Sequence, residues 1–299
     1  MSQMLNSILD AATTLALVCQ RIMLKLTNGM NCHAPKATYL LVTVFFPILL
    51  LTKKLKASGW RVSLSHKWNR CLIIQNSTIM QHKINWCYLC QSTENLTSDH
   101  LPPDNLFPKP KPINLITVPC CASCNAGFSK LDEQFRVFVS MPVNVSLVGR
   151  EIKRKKVFEG TLKHSPFLKK QMARDDFIGT LATALGPITV PLIAMNRDVI
   201  NHFLTRLTKG LLATFYSDIN YFDLQFDVTQ LNQFGANHPT FKAVTSILTA
   251  DQRGDGVFRF WHGVAIEDQT TGVWIYQFYD AALFVVIHSK DLPFEPSAS

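Results

Sequence analysis

Five of the eight cysteines stand close together in the chain, as Cys87-x-x-Cys90 and Cys120-Cys121-x-x-Cys124. Four thiolates, from Cys87, Cys90, Cys121 and Cys124, are enough to close a tetrahedral zinc site, and a site so closed is structural because no position is left for water. Cys120 is an alternative to Cys121, but the two-residue spacing to Cys124 favours Cys121. Reduced core cysteines would not arrive as two matched pairs. Knuckles of this kind read as a metal site in a reducing, cytoplasmic compartment and not as a disulfide framework. The other three cysteines, Cys19, Cys32 and Cys71, are scattered.

A second set of polar residues lies within and beside the knuckles: Asp99-His100-Leu101-Pro102-Pro103, Asn114-Leu115, and Asn125 directly after Cys124. A carboxylate next to an imidazole offers a hard oxygen ligand beside a group that takes a proton from water near pH 7. The amide oxygen of Asn125 is a second hard donor, able to share a divalent cation with Asp99. Carboxylate and amide oxygens suit Mg²⁺ or Mn²⁺, whereas four thiolates suit zinc. A lone Asp-His pair is more often structural; the ordered set is far more specific.

That order resembles the zinc-containing branch of the HNH endonucleases, the His-metal finger or ββα-metal family, whose pattern runs C-x-x-C, D-H-x-x-P, N-L, C-x-x-C-N. The match covers residues 87–125, and Phe128-Ser129-Lys130 with Asp132-Glu133 resembles a bacterial subset. The resemblance implies a ββα fold, with a strand to Asp99-His100, a loop, a strand through Asn114, and a helix from Cys121. It implies His100 as general base, Asp99 and Asn125 as ligands of a catalytic Mg²⁺ or Mn²⁺, and Asn114 as the residue fixing the loop that holds His100. Position 125 is Asn where the family's third element is named for His. The expected partner is nucleic acid, DNA ahead of RNA.

The elements that must position these residues are legible in part. Five prolines make residues 101–112 an extended loop. Residues 113–118 are β-rich. Residues 122–139 carry Phe128, Leu131, Phe135 and Phe138 at helical spacing. Residues 150–174 are basic, densest at Lys153-Arg154-Lys155-Lys156, and read either as a solvated helix face or strand edge, or as a phosphate-contacting arm. Residues 196–216 read as a helix with Asp198 as its cap and Val199, Phe203, Leu207 and Leu211 as its apolar stripe. Residues 222–228, 257–266, 273–279 and 282–288 read as strands, with turns at Asp255-Gly256 and Thr271-Gly272. The fold class expected is α+β: a zinc-stapled ββα motif in residues 80–140, then a mixed helix and antiparallel-sheet region in residues 141–299.

Composition permits this. Apolar residues make up 47% and charged residues 17%, so a packed core is feasible and bulk disorder is excluded. The net charge of +9 is unevenly placed. Residues 1–79 carry nine Lys/Arg against Asp10, while residues 80–299 carry 21 basic and 20 acidic residues, so global basicity says little about partners. Residues 39–51 are an apolar run, short for a membrane span of about 20 residues. The run reads as a buried helix or interfacial anchor, as a marginal membrane segment, or as sequence foreign to the natural protein, with Met80 an alternative start. Two rivals to the nuclease follow: a zinc-knuckle module that binds nucleic acid or protein without cutting, and a protein anchored to a membrane through residues 39–51.

Overall fold

The computed structural model describes residues 84–166, 168–170, 177–183, 186–192, 196–216, 218–231, 239–265 and 270–290. The expectations for residues 1–79, the apolar run 39–51 and Met80 lie outside the described residues. The architecture is α+β, with antiparallel sheets and helices.

The described residues open on the first cysteine knuckle and enter β1 (Leu96–Leu101), which pairs antiparallel with β2 (Ile116–Cys121), placing Asp99 opposite Val118 and His100 opposite Thr117. Two helices follow, α1 (Ala122–Gly127) and α2 (Ser129–Ser140). The single helix expected over residues 122–139 is therefore broken. Phe128, at φ −99° and ψ −5°, turns the chain between the two, and its side chain swings under the guanidinium of Arg206 at 4.5 Å. The strand expected over 113–118 starts later, at Ile116, leaving Ile113 and Asn114 exposed in the preceding turn.

Helix α3 (Leu147–Ile152) is capped by the Ser146 hydroxyl, which accepts from the Gly149 N–H, and runs on as a π-helical stretch, Lys153–Thr161, and a last turn, Leu162–His164. A hairpin not anticipated from sequence, β3 (Phe177–Thr183) with β4 (Gly186–Leu192), precedes α4 (Arg197–Phe215). The cap of α4 is Asn196 and not Asp198: the Asn196 side-chain oxygen accepts the Asp198 N–H at 2.9 Å. The apolar stripe is as expected, with Val199, Phe203, Leu207 and Leu211 all buried.

The remaining chain builds one five-stranded antiparallel sheet from β5 (Gln225–Leu231), β6 (Thr249–Arg253), β7 (Phe258–Val264), β8 (Gly272–Phe278) and β9 (Ala282–Ser289), ordered β5-β9-β8-β7-β6. Strand β6 and helix α5 (Pro239–Ile247) were not anticipated. The first strand starts at Gln225 because Tyr221–Asp223 forms a 3₁₀ turn, and Gly272 belongs to β8 and not to a turn. Strand β9 is buried on both faces: Phe284 and Val286 join the core beneath α2 and α4, while Leu283, Val285 and Ile287 pack with Phe241 of α5. Burial of both faces explains why β9 reads as an unbroken apolar run instead of alternating.

One continuous core runs from Cys87, Tyr88, Leu101 and Val118 of the knuckle and hairpin to Phe258, Trp274 and Val286 of the large sheet. At its centre Phe135 of α2 stacks on Phe203 of α4 with ring centroids 3.5 Å apart, and meets Phe278 of β8 edge-on at 5.1 Å. Among the described residues no helix is long and apolar enough to cross a membrane.

The core also buries a histidine. His262 of β7 stacks on Trp274, its Nδ1 meets the Tyr216 hydroxyl at 2.8 Å, and its Nε2 is buried without a partner. Burial holds this imidazole down to about 4, opposed by the charge of Asp251, whereas an unfolded His titrates near about 6.5. Between those values the unfolded chain binds a proton that the folded chain refuses. Stability is therefore full above about pH 6.5 and falls as the pH drops toward 4, by up to about 3 kcal/mol. Urea unfolding at pH 7 and pH 4.5 should show this loss in the wild-type chain and a smaller one in His262→Gln. An equal loss in both would assign the acid sensitivity elsewhere.

Candidate metal centre and the polar face beside it

The metal centre is built from two short turns. In the first knuckle the Gln91 N–H returns to the Cys87 carbonyl at 2.8 Å and the Cys87 N–H reaches Ser92 O at 2.7 Å, which folds Cys87 and Cys90 toward one point. Cys121 ends β2 and Cys124 lies in the first turn of α1. The sulfur atoms of Cys87, Cys90, Cys121 and Cys124 all lie within 4.8 Å of one another, and Cys90 Sγ is 3.6 Å from Cys121 Sγ. A tetrahedral ion at about 2.3 Å from each sulfur needs sulfurs about 3.8 Å apart, so these four could hold a metal ion such as zinc. The Ser123 hydroxyl, 3.2 Å from the sulfur of Cys121, and the Cys124 N–H pull the Cys121 thiol down to about 6, whereas burial and the neighbouring thiols push Cys124 up and Cys90 is also raised, so the four do not all lean toward the thiolate. Cys87 is also lowered: burial opposes its ionisation, but the backbone N–H groups of Cys121, Leu89 and Cys90 outweigh it. Cys120 is buried beside the centre, 3.9 Å from the sulfur of Cys87, and sits outside the group of four.

The same scaffold places the polar residues. Side chains alternate along a strand, so Thr97, Asp99 and Leu101 share one face of β1, exposed at Thr97 and buried at Asp99 and Leu101, while Ser98 and His100 share the other. Asp99 is buried, and its Oδ2 accepts a hydrogen bond from the Tyr88 hydroxyl at 2.8 Å. That hydroxyl stays protonated: burial and then the charge of Asp99 push its ionisation well above the ordinary range. Asn125 of α1 donates from Nδ2 to the Thr97 hydroxyl at 3.1 Å, which ties it to the face that carries Asp99. The structure thus brings Asp99 and Asn125 to one face of the hairpin. It places His100, half-buried opposite the exposed Thr117, on the other. Asn114 is exposed in the turn before β2.

Several residues that sequence reasoning passed over hold this face. Arg206 of α4 is 3% exposed and donates from Nη2 to Asp132 Oδ1 of α2 at 2.6 Å, while its Nε and Nη1 are buried without partners. At Gly210 α4 comes so close to the hairpin that a Cβ there would lie 2.5 Å from Leu101 Cδ1 and 3.2 Å from the Tyr88 ring. Glu133 accepts from the Thr161 hydroxyl, which in turn accepts from Arg136 Nη2, joining α2 to the helix that begins at Leu147. A Tyr inside a cysteine knuckle, or an Arg within an amphipathic helix, carries no local mark of such a role.

Two of the four cations in Lys153–Lys156 are taken up by the fold. Lys153 Nζ donates to the carbonyls of Met141 and Pro142, and Lys156 Nζ to those of Asn105 and Phe107 at 2.9 and 2.6 Å. Arg154 pairs with Glu159, and Lys155 with Glu151, at the surface. Lys156 and the Tyr279 hydroxyl, which donates to Leu106 O at 2.7 Å, together pin the proline-rich loop between β1 and β2. A charged donor serving two carbonyls contributes roughly 1.5–3 kcal/mol, and exposed ion pairs contribute about 0–1 kcal/mol. Lys156→Met should therefore lower stability by about 2 kcal/mol in urea unfolding, while Arg154→Gln should fall within about 0.5 kcal/mol of wild type. Equal effects would mean that Lys156 is not a structural pin.

No protein-family model, no curated protein and no solved structure matches the chain.

Proposed function

We propose that this chain is an HNH-type endonuclease that hydrolyses nucleic-acid phosphodiester bonds, with Cys87, Cys90, Cys121 and Cys124 holding a structural zinc. The observation that carries the reading is the placement of Asp99 and Asn125 on one face of a hairpin whose two ends are gathered by those four thiols. Asp99 and Asn125 would hold a Mg²⁺ or Mn²⁺ ion. Such a cation neutralises charge on the phosphate and stabilises the leaving 3′ oxygen. His100 takes the proton of the attacking water. Asn114, in the turn that leads into β2, belongs to the loop that frames His100. Among the described residues the sheet has two strands, and β1 pairs with β2 along one edge and keeps the other open. A phosphodiester lying along that edge meets the oxygen ligands from one face and the imidazole from the other. Unpaired cysteines at all five positions 87, 90, 120, 121 and 124 fit a reducing compartment such as the cytoplasm.

The reading is tested by incubating the zinc-loaded chain with plasmid DNA and with RNA, in Mg²⁺, Mn²⁺ and EDTA. Cleavage of DNA that needs the added cation supports it, and binding without cleavage in every condition refutes it. A second reading, a zinc-stapled module that binds nucleic acid or a partner without cutting, is favoured by one observation: Asp99 and His100 leave β1 on opposite faces.

A further inference from the structure

We propose that Tyr88 is a positioning residue for Asp99, its hydroxyl fixing which oxygen of that carboxylate is presented to a divalent cation. The inference rests on the cation site proposed above. It adds a role for the metal-binding knuckle beyond that of a staple.

Tyr88 is the residue directly after Cys87, so two sulfur ligands, Cys87 and Cys90, bracket it. Its backbone is held on both sides. The N–H donates to Pro119 O of β2 at 3.1 Å, and the carbonyl accepts from the Tyr221 hydroxyl at 3.1 Å. Tyr221 is itself braced by stacking on Trp86, with ring centroids 6.2 Å apart. The ring of Tyr88 is fully buried and lies against Gly210 of α4, where no side chain intervenes. A phenol locked by its backbone, its ring and its neighbouring metal ligands has one place for its hydroxyl, and that place is 2.8 Å from Asp99 Oδ2. With Oδ2 engaged, Oδ1 is the oxygen left for a cation, and the hydrogen bond opposes rotation of the carboxylate. Groups that orient a metal ligand in this manner typically account for 10- to 100-fold in metal affinity.

The test compares wild type with Tyr88→Phe, which keeps the ring and removes the hydroxyl. Mn²⁺ binding to the zinc-loaded chains is followed by electron paramagnetic resonance, alongside zinc content and thermal unfolding. The expected result is a Mn²⁺ dissociation constant raised about 10-fold, with one zinc per chain retained. Unchanged Mn²⁺ affinity in a folded, zinc-replete Tyr88→Phe overturns the inference and leaves the nuclease reading intact. No Mn²⁺ binding by wild type overturns the cation site itself, and the inference with it. Should Tyr88→Phe fail to fold, 3-fluorotyrosine at position 88 decides, since it keeps ring and hydroxyl. Its fluorine resonance should shift when Mg²⁺ is added, because a cation on Asp99 withdraws charge from the hydrogen-bonded carboxylate. An unmoved resonance rejects the positioning role.

Discussion

A Cys124→Ser chain should emerge from purification without zinc and with its cysteine knuckle unfolded. The four sulfurs are contributed by two segments, a tight turn at Cys87–Cys90 and the β2–α1 junction, which backbone hydrogen bonds from Tyr88 to Pro119 and from Ala122 to Asn95 also join. Metal binding in small thiolate sites supplies folding free energy on the order of 10 kcal/mol, comparable with the whole stability of a domain. Losing it should release the knuckle, and with it Tyr88, whose ring is part of the shared core. Cys87→Ser should behave in the same manner. Cys120→Ala should not, because Cys120 lies outside the group of four although its sulfur is 3.9 Å from that of Cys87. Elemental analysis and circular dichroism melting read both outcomes. A folded wild-type chain free of zinc, or a Cys120→Ala chain that loses zinc while Cys124→Ser keeps it, would reject the assignment.

His100→Ala should lower cation-dependent cleavage by roughly 10²–10⁴-fold, the usual cost of losing a positioned general base. Zinc content and melting should be unchanged, since the residue is half-buried on the outer face of β1 and is not a sulfur ligand. It is the only histidine between Cys87 and Asn125, so no neighbour in the motif replaces it. Asp99→Ala and Asn125→Ala should differ in kind: their loss should be relieved in part by excess Mn²⁺, as expected of weakened ligands, and that of His100→Ala should not. Relief of all three by Mn²⁺ would remove the distinction between base and ligands.

The parts legible in sequence were those written in local spacing. The cysteine knuckles named the four sulfurs that meet, and the 3.6-residue stripe Val199, Phe203, Leu207 and Leu211 gave the buried face of α4. Strands β7, β8 and β9 were visible through their aromatic and β-branched runs. What failed depended on tertiary partners. The helix over 122–139 looked continuous because its apolar spacing is continuous; it breaks at Phe128, whose ring packs under Arg206 from a helix 70 residues further on. Asp198 looked like a cap because Asp is a good one, yet Asn196 sits two residues earlier and takes that place. The run Lys153–Lys156 read either as a solvated face or as a phosphate-contacting arm; that carbonyls of the loop and of the α2 terminus claim two of its cations was not written in its spacing. Within the candidate site, the facing of the side chains was not readable from their spacing. Strand alternation sets Asp99 and His100 on opposite sides, and the hydroxyl that holds Asp99 comes from a tyrosine whose neighbours are cysteines.

The most direct test is the fate of supercoiled plasmid incubated with the zinc-loaded full chain in Mn²⁺, beside His100→Ala prepared identically. Wild type should convert the plasmid to nicked and linear forms, the conversion should stop with EDTA, and the nicks should be resealed by a ligase that requires 5′-phosphate and 3′-hydroxyl ends. His100→Ala should leave the plasmid supercoiled while binding it equally well. Plasmid bound but uncut by the wild-type chain, or cut equally by both chains, contradicts the account.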